Sequence, residues 1–189
     1  LIAAATFGSE LTPEVTLLRN FRDLDILHTS AGDSFMQVFN AFYYSFSPAA
    51  ASFITSHNNM KAAMKIVLYP LIATLYLSKL VFGTLSFNGE MAALTSGVLA
   101  SLVIGAIYVG PLLTLIPRLF GLQSPSRYLR SLRLTSLFGL SAIAGLILAE
   151  ISKDALLLEM TTVGTVLSNI ALGGLIFSWA VGRILSRER

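Results

Sequence analysis

"MAALTSGVLASLVIGAIYVGPLLTLIP", residues 91–117, contains no Asp, Glu, Lys or Arg. A helix that crosses a bilayer takes about 20 apolar residues, and a soluble core helix rarely sustains such a run. Residues 134–149 and 162–182 are likewise uncharged. The whole chain of 189 residues is 54% hydrophobic and 12% charged, with mean hydropathy +0.74. A soluble domain carries about 25% charged residues. The sequence therefore reads as an all-α integral membrane protein of the cell membrane.

Four spans are expected, at about 62–85, 91–117, 132–150 and 161–184. The first is the least regular. Lys65 and Lys79 lie inside it and Pro70 would kink it, but lysines near helix ends can snorkel to the surface. The loop "RLFGLQSPSRYLRSLR", residues 118–133, carries Arg118, Arg127, Arg130 and Arg133. Between the last two spans, Glu150, Asp154 and Glu159 stand against Lys153, a net charge of −2 (three acids, one base). The tail carries Arg183, Arg187 and Arg189 against Glu188. Basic loops stay cytoplasmic. Four spans would then put both termini in the cytoplasm. If the first span only dips into the membrane, the N-terminal region moves outside.

Residues 1–60 read as a helical cap at the membrane surface, with 61–189 as the spanning bundle. Thr12, Pro13 and Glu14 form a helix start: a hydroxyl N-cap, proline at the first helical position and an acid in the first turn. Val15, Leu18 and Phe21, with Leu17 and Leu24, make an apolar stripe at helical spacing. Arg19 and Asp23 are four apart, Arg22 and Asp25 three apart, and such pairs stabilise a helix by about 0.2–0.5 kcal/mol each when exposed. At least one of the arginines is expected to hydrogen-bond Asp23, another acid or backbone carbonyls within the cap. "HTSAGDS" should break this helix. A second helix is expected from Asp33 to Phe46, and Ser47-Pro48 should start a short third one. Phe35, Phe39, Phe42, Tyr43 and Phe46 give the second helix an aromatic face. Core packing and residence in the lipid headgroup layer both fit that face.

Spans two to four share a pattern. Gly97, Ser101 and Gly105 lie four apart. So do Ser141, Gly145 and Ala149, and so do Gly174, Ser178 and Gly182. Small residues on one stripe let helix backbones approach closely in lipid.

Chemistry inside a membrane announces itself through ionisable residues at mid-depth, and spans two and three carry none there. Asn169 in span four is expected to make a helix–helix hydrogen bond, and Lys79 to anchor its helix at the interface. Zero cysteines remove disulfides and thiolate sites. His28 follows Asp23 and Asp25, but a metal needs at least three converging ligands. The scattered basic residues do not form a nucleic-acid surface. No phosphate loop or nucleophile elbow is present. The sequence implies no catalytic residue, no cofactor and no metal.

The first 70 residues resemble the CFI-box family. That family opens Cys-Phe-Ile-Ala-Thr-Ala-Ala-Tyr-Gly-Ser, continues with Leu-Arg-x-Phe-Arg-Asp, then Tyr-Tyr-x-x-Ser-Pro and a proline-bearing apolar stretch. The matching residues are Ile2, Ala3, Ala5, Phe7, Gly8, Ser9, Pro13, Val15, Leu18, Arg19, Phe21, Arg22, Asp23, Gly32, Tyr43, Tyr44, Ser47, Pro48 and Pro70. Ala4 and Thr6 depart from the pattern. The chain opens on Leu1, one position after the family's cysteine, which reads as a processed N-terminus or a truncated chain; no signal peptide is visible. The form with "YYSFSP" and several following spans is most similar to proteins of ammonia-oxidising archaea. The resemblance implies a cap in which Arg19, Arg22, Asp23, Tyr43, Tyr44 and Pro48 are structural.

The expected role is a non-catalytic accessory subunit of a membrane complex, with other membrane subunits and lipids as partners. The resemblance makes archaeal ammonia monooxygenase a candidate host, and a respiratory complex the next. The rival reading is a proteolytically processed membrane anchor that sorts or retains an extracytoplasmic domain. A small transporter is disfavoured, because mid-membrane charge and an internal repeat are both missing from the sequence.

Overall fold

The computed structural model describes residues 1–85, 87–119 and 125–187, with backbone alone at 117–119, 125–129 and 185–187. Arg118, Arg127, Arg187, Glu188 and Arg189 therefore lie outside the described side chains. The described chain is helical, with no strand. Four helices are long and apolar enough to cross a membrane: Asn58–Thr84, Gly89–Ile116, Arg130–Ser152 and Ala155–Ile184. The protein is an all-α membrane protein.

The chain divides into two compact units, Leu1–Ser96 and Gly97–Arg189. The first holds α1 (Ile2–Phe7), α2 (Pro13–Asn20) running into a π-helical turn (Phe21–Ile26), α3 (Ser30–Ser56), α4 (Asn58–Thr84) and the start of α5 (Gly89–Ile104). The second holds the rest of α5, a π-helical turn (Gly105–Val109), α6 (Gly110–Leu119), α7 (Pro125–Ser152) and α8 (Ala155–Arg187).

Local rules explain the joints. Gly8 closes α1 at φ +87°, a conformation that costs glycine little. Pro13 occupies the first position of α2, where its missing N–H is no loss. The second π-turn immediately precedes Gly110-Pro111. Proline cannot continue the ordinary hydrogen-bond ladder, and here the Gly110 N–H reaches back five residues to the Gly105 carbonyl.

Several expectations are corrected. The aromatic segment is one helix of 27 residues, Ser30–Ser56, not two, and Pro48 lies within it. Burial on both sides of the proline, at Ser47 and Ile54, holds the helix together across the missing hydrogen bond. "HTSAGDS" breaks the chain only at 27–29, because Thr29 caps α3 by accepting from the Gly32 N–H at 3.1 Å. Thr12 is extended, as an N-cap should be, but its hydroxyl donates to the Ser9 carbonyl instead of capping. Leu24 is exposed, although helical spacing puts it on the apolar stripe with Phe21. The π-turn adds a residue to the repeat there and rotates Leu24 out of the stripe. Arg130 and Arg133 belong to α7, not to a loop.

Within the second unit, α8 packs on α7, on α6 and on the π-turn. Glycines line these contacts, against backbone at two positions and against side chains at others. A methyl group added to Gly105 would collide with the Ile170 carbonyl, and one added to Gly173 with the Leu102 carbonyl. Gly174 faces Val109, where an added carbon would lie 2.8 Å from Cγ1, and Gly145 faces Thr161 at the same distance from Cγ2.

Candidate functional site

The residues that carry the resemblance gather in the first unit. Ile2 N–H donates to the Tyr43 hydroxyl at 3.1 Å, joining α1 to α3. Phe7 meets Tyr69 of α4 edge to face, ring centres 5.7 Å apart, and Lys65 Nζ lies 5.9 Å from the Phe7 ring. α1 thus bridges α3 and α4. Thr6 is buried and folds its hydroxyl back to the Ile2 carbonyl at 2.9 Å.

The charged side chains pair differently from the helical spacing. Arg19 does not reach Asp23; its Nη2 donates to Glu10 Oε2 at 2.6 Å, across the α1–α2 turn. Arg22 pairs with its neighbour Asp23, not with Asp25, through two hydrogen bonds of 2.6 and 3.1 Å. That fork holds the Asp23 carboxyl below its ordinary range and raises the Arg22 guanidinium. Arg19 likewise holds Glu10 low. Both pairs are substantially exposed, with Arg22 and Asp23 at 39% and 45%, so neither contributes much stability. Asp25 instead reaches across to α4, 3.7 Å from Lys79. A second long-range tie is Ser30 N–H to Glu90 Oε1 at 2.7 Å, which joins the first turn of α3 to the first turn of α5. Sequence reasoning misses it, since nothing local marks a bond across 60 residues.

Asp25 Oδ2, Glu90 Oε2 and Ser47 Oγ are buried without a hydrogen bond among the described residues. Tyr44 and Pro48 are exposed, and so is His28. Among the described residues, no three metal-ligating side chains converge.

The small-residue stripes divide. Gly105, Ser101, Gly174 and Ser178 are buried, and Gly145 faces Thr161. Ala149 of the α7 stripe is buried, but Ser141 is exposed, because α7 turns Ala142 and Leu146 inward in its place. A carbon added to Gly97 or Gly182 meets nothing within 4 Å among the described residues. Gly173, Gly110 and Gly139 lie outside the period-four stripes, yet Gly173 backs directly onto α5, Gly110 onto Phe177 and Gly139 onto Ser168. The Gly173-Gly174 doublet was the available signal. Asn169 is buried, but its amide donates to Thr165 of its own helix at 2.8 Å, not to another helix.

Comparison with protein-family models, curated proteins and solved structures gives no match to this chain. Function must be argued from the arrangement itself.

Proposed function

We propose that this chain is a non-catalytic subunit of a larger membrane complex, bound to other membrane subunits and to lipid. The observation that supports it is how the second unit uses its polar groups. Thr114, Thr162, Thr165, Ser168 and Asn169 are buried, and each hydrogen-bonds a carbonyl of its own helix. They are consumed in helix structure. Meanwhile α7 and α8 bury only 22% and 33% of their most apolar windows within the chain. Such helices offer broad apolar faces for lipid and for neighbouring spans. The resemblance to CFI-box proteins of ammonia-oxidising archaea makes the copper monooxygenase of those organisms the first host to test.

Native mass measurement of the protein extracted in mild detergent tests this. Co-migration with enzyme subunits is the expected result. A lone species of about the chain's own mass, 20.3 kDa plus detergent, would favour the processed anchor and defeat the subunit reading.

A further inference from the structure

We propose that α3 and α4 do not cross the bilayer but lie together in its interfacial layer, with a phenylalanine ridge of α3 set among the lipid headgroups. Three helical spans then cross, not four.

α3 and α4 have matched ends. His57 alone joins the end of α3 to the start of α4. At the opposite ends, Ser30 is hydrogen-bonded to Glu90, just beyond the end of α4, and Asp25 sits beside Lys79. Midway, α1 touches Tyr43 of α3 and Tyr69 of α4. The two helices, each of 27 residues, therefore share start, middle and end. If α4 crossed the membrane, Ser56 and Ser30 would lie on opposite faces and α3 would cross as well. A crossing α4 beside a surface-bound α3 is geometrically inconsistent. The count is three spans or five.

Two observations select three. The first is the surface of α3. At 100° per residue, Phe39, Phe42, Phe46 and Phe53 fall on one ridge, all of them exposed, with Phe42 at 66%. Asp33, Gln37, Tyr44, Pro48 and Ser52, also exposed, fall on the opposite side. Met36, Ser47 and Ile54 form the buried third face. A crossing helix would turn the polar side into hydrocarbon. An interfacial helix turns it to water and places the aromatic ridge at headgroup depth, where such rings are favoured. The second observation is the flank of α4. From Lys65, beside Phe7, to Lys79, beside Asp25, is about 21 Å of helix. The hydrocarbon core is about 30 Å thick. α2 and its π-turn pack along α4 and carry the exposed Arg22–Asp23 pair and Arg19, which holds Glu10 of the preceding turn. A crossing α4 would draw these pairs into lipid, where charges are costly and rare.

The occupant of the ridge is the same bilayer that α5 enters. The Ser30–Glu90 bond pins the start of α3 to the first turn of the span Gly89–Ile116.

The chain has no cysteine, so single cysteines report without background. Asn59→Cys at the α3–α4 joint and Phe87→Cys after α4 are both at exposed positions. In oriented proteoliposomes, with detergent as the control in which both sites react, a membrane-impermeant maleimide should label the two from the same face. Labelling from opposite faces, or of neither, overturns the proposal. Nitroxides at Phe42→Cys, Phe46→Cys and Phe53→Cys supply the second measurement. All three should sit at one shallow depth; a progression through the bilayer centre would overturn the proposal independently.

Discussion

Gly105→Ala should destabilise the second unit, although in a helix taken by itself the same change is favourable. Alanine exceeds glycine in helix propensity by about 1 kcal/mol. At Gly105 the added carbon collides with the Ile170 carbonyl. That obstacle is backbone in the middle of α8, not the movable end of a side chain. The helices must part, and parting them also loosens Gly173 against Leu102 and Gly174 against Val109. Overpacking of this kind costs about 1–3 kcal/mol, and more for Gly105→Leu. The expected net loss is therefore about 0–2 kcal/mol for alanine. Gly97→Ala is the matched control, because its added carbon meets nothing within 4 Å among the described residues. It should be neutral or stabilising by up to about 1 kcal/mol. Gly105→Ala combined with Gly173→Ala should cost less than the sum, since the first substitution already separates the helices. Reversible unfolding in mixed micelles, followed by circular dichroism, measures each variant. A Gly105→Ala protein as stable as Gly97→Ala would refute close backbone packing as the basis of this bundle.

Gly32→Ala should loosen the start of α3 by about 1–3 kcal/mol, because the new carbon meets the Ile26 carbonyl and lies 2.5 Å from Thr29 Oγ1; protease sensitivity near 27–32 reads it. Asp23→Ala should cost at most about 1 kcal/mol, since the Arg22 pair is exposed, and the effect should shrink in high salt; a larger loss would mean that a partner covers this surface. Acid should weaken the cap in a defined direction. Glu10 and Asp23 both have lowered pKa values in the folded chain, so their contribution is present above the ordinary carboxyl range, about pH 4, and is lost as pH falls through the lowered values. A cap whose proteolytic stability rises between pH 5 and 2 would contradict the pairing.

The long apolar helices were legible because lipid permits no alternative to them, so their signal lies in run length alone. The cap's charged cluster was legible too, down to an arginine bound to Asp23. Local reading missed the pairings set by the path of the chain. Arg19 finds Glu10 because the chain turns at residues 10–12, before Pro13 starts α2, and no helical spacing contains that turn. Ser47-Pro48 looks like a helix start, yet α3 runs through it. Neither π-turn has a local code, but each shifts the register downstream, and Leu24 shows the consequence. Among the small-residue stripes, the period of four placed Gly105 and Gly174 correctly on packed faces, but it could not separate them from Gly97 and Gly182, which have the same spacing and open surroundings.

Both units turn hydroxyls back on carbonyls of their own helices, and the first adds polar bonds between elements. In the second unit, hydroxyls and the Asn169 amide turn back on carbonyls one turn earlier. Such bonds satisfy the side chain without tying one helix to another. Shape contributes to association there, with Gly105 and Gly173 set where carbonyls of the next helix arrive. In the first unit, the joining bonds are polar and long-range: Ile2 to Tyr43, Arg19 to Glu10, Ser30 to Glu90. The Arg19–Glu10 pair is open to water, whereas the second carboxylate oxygen of Glu90 is buried without a hydrogen-bond partner among the described residues. The first unit is thus joined by polar bonds between its elements, and the second by glycines set where a neighbouring helix approaches.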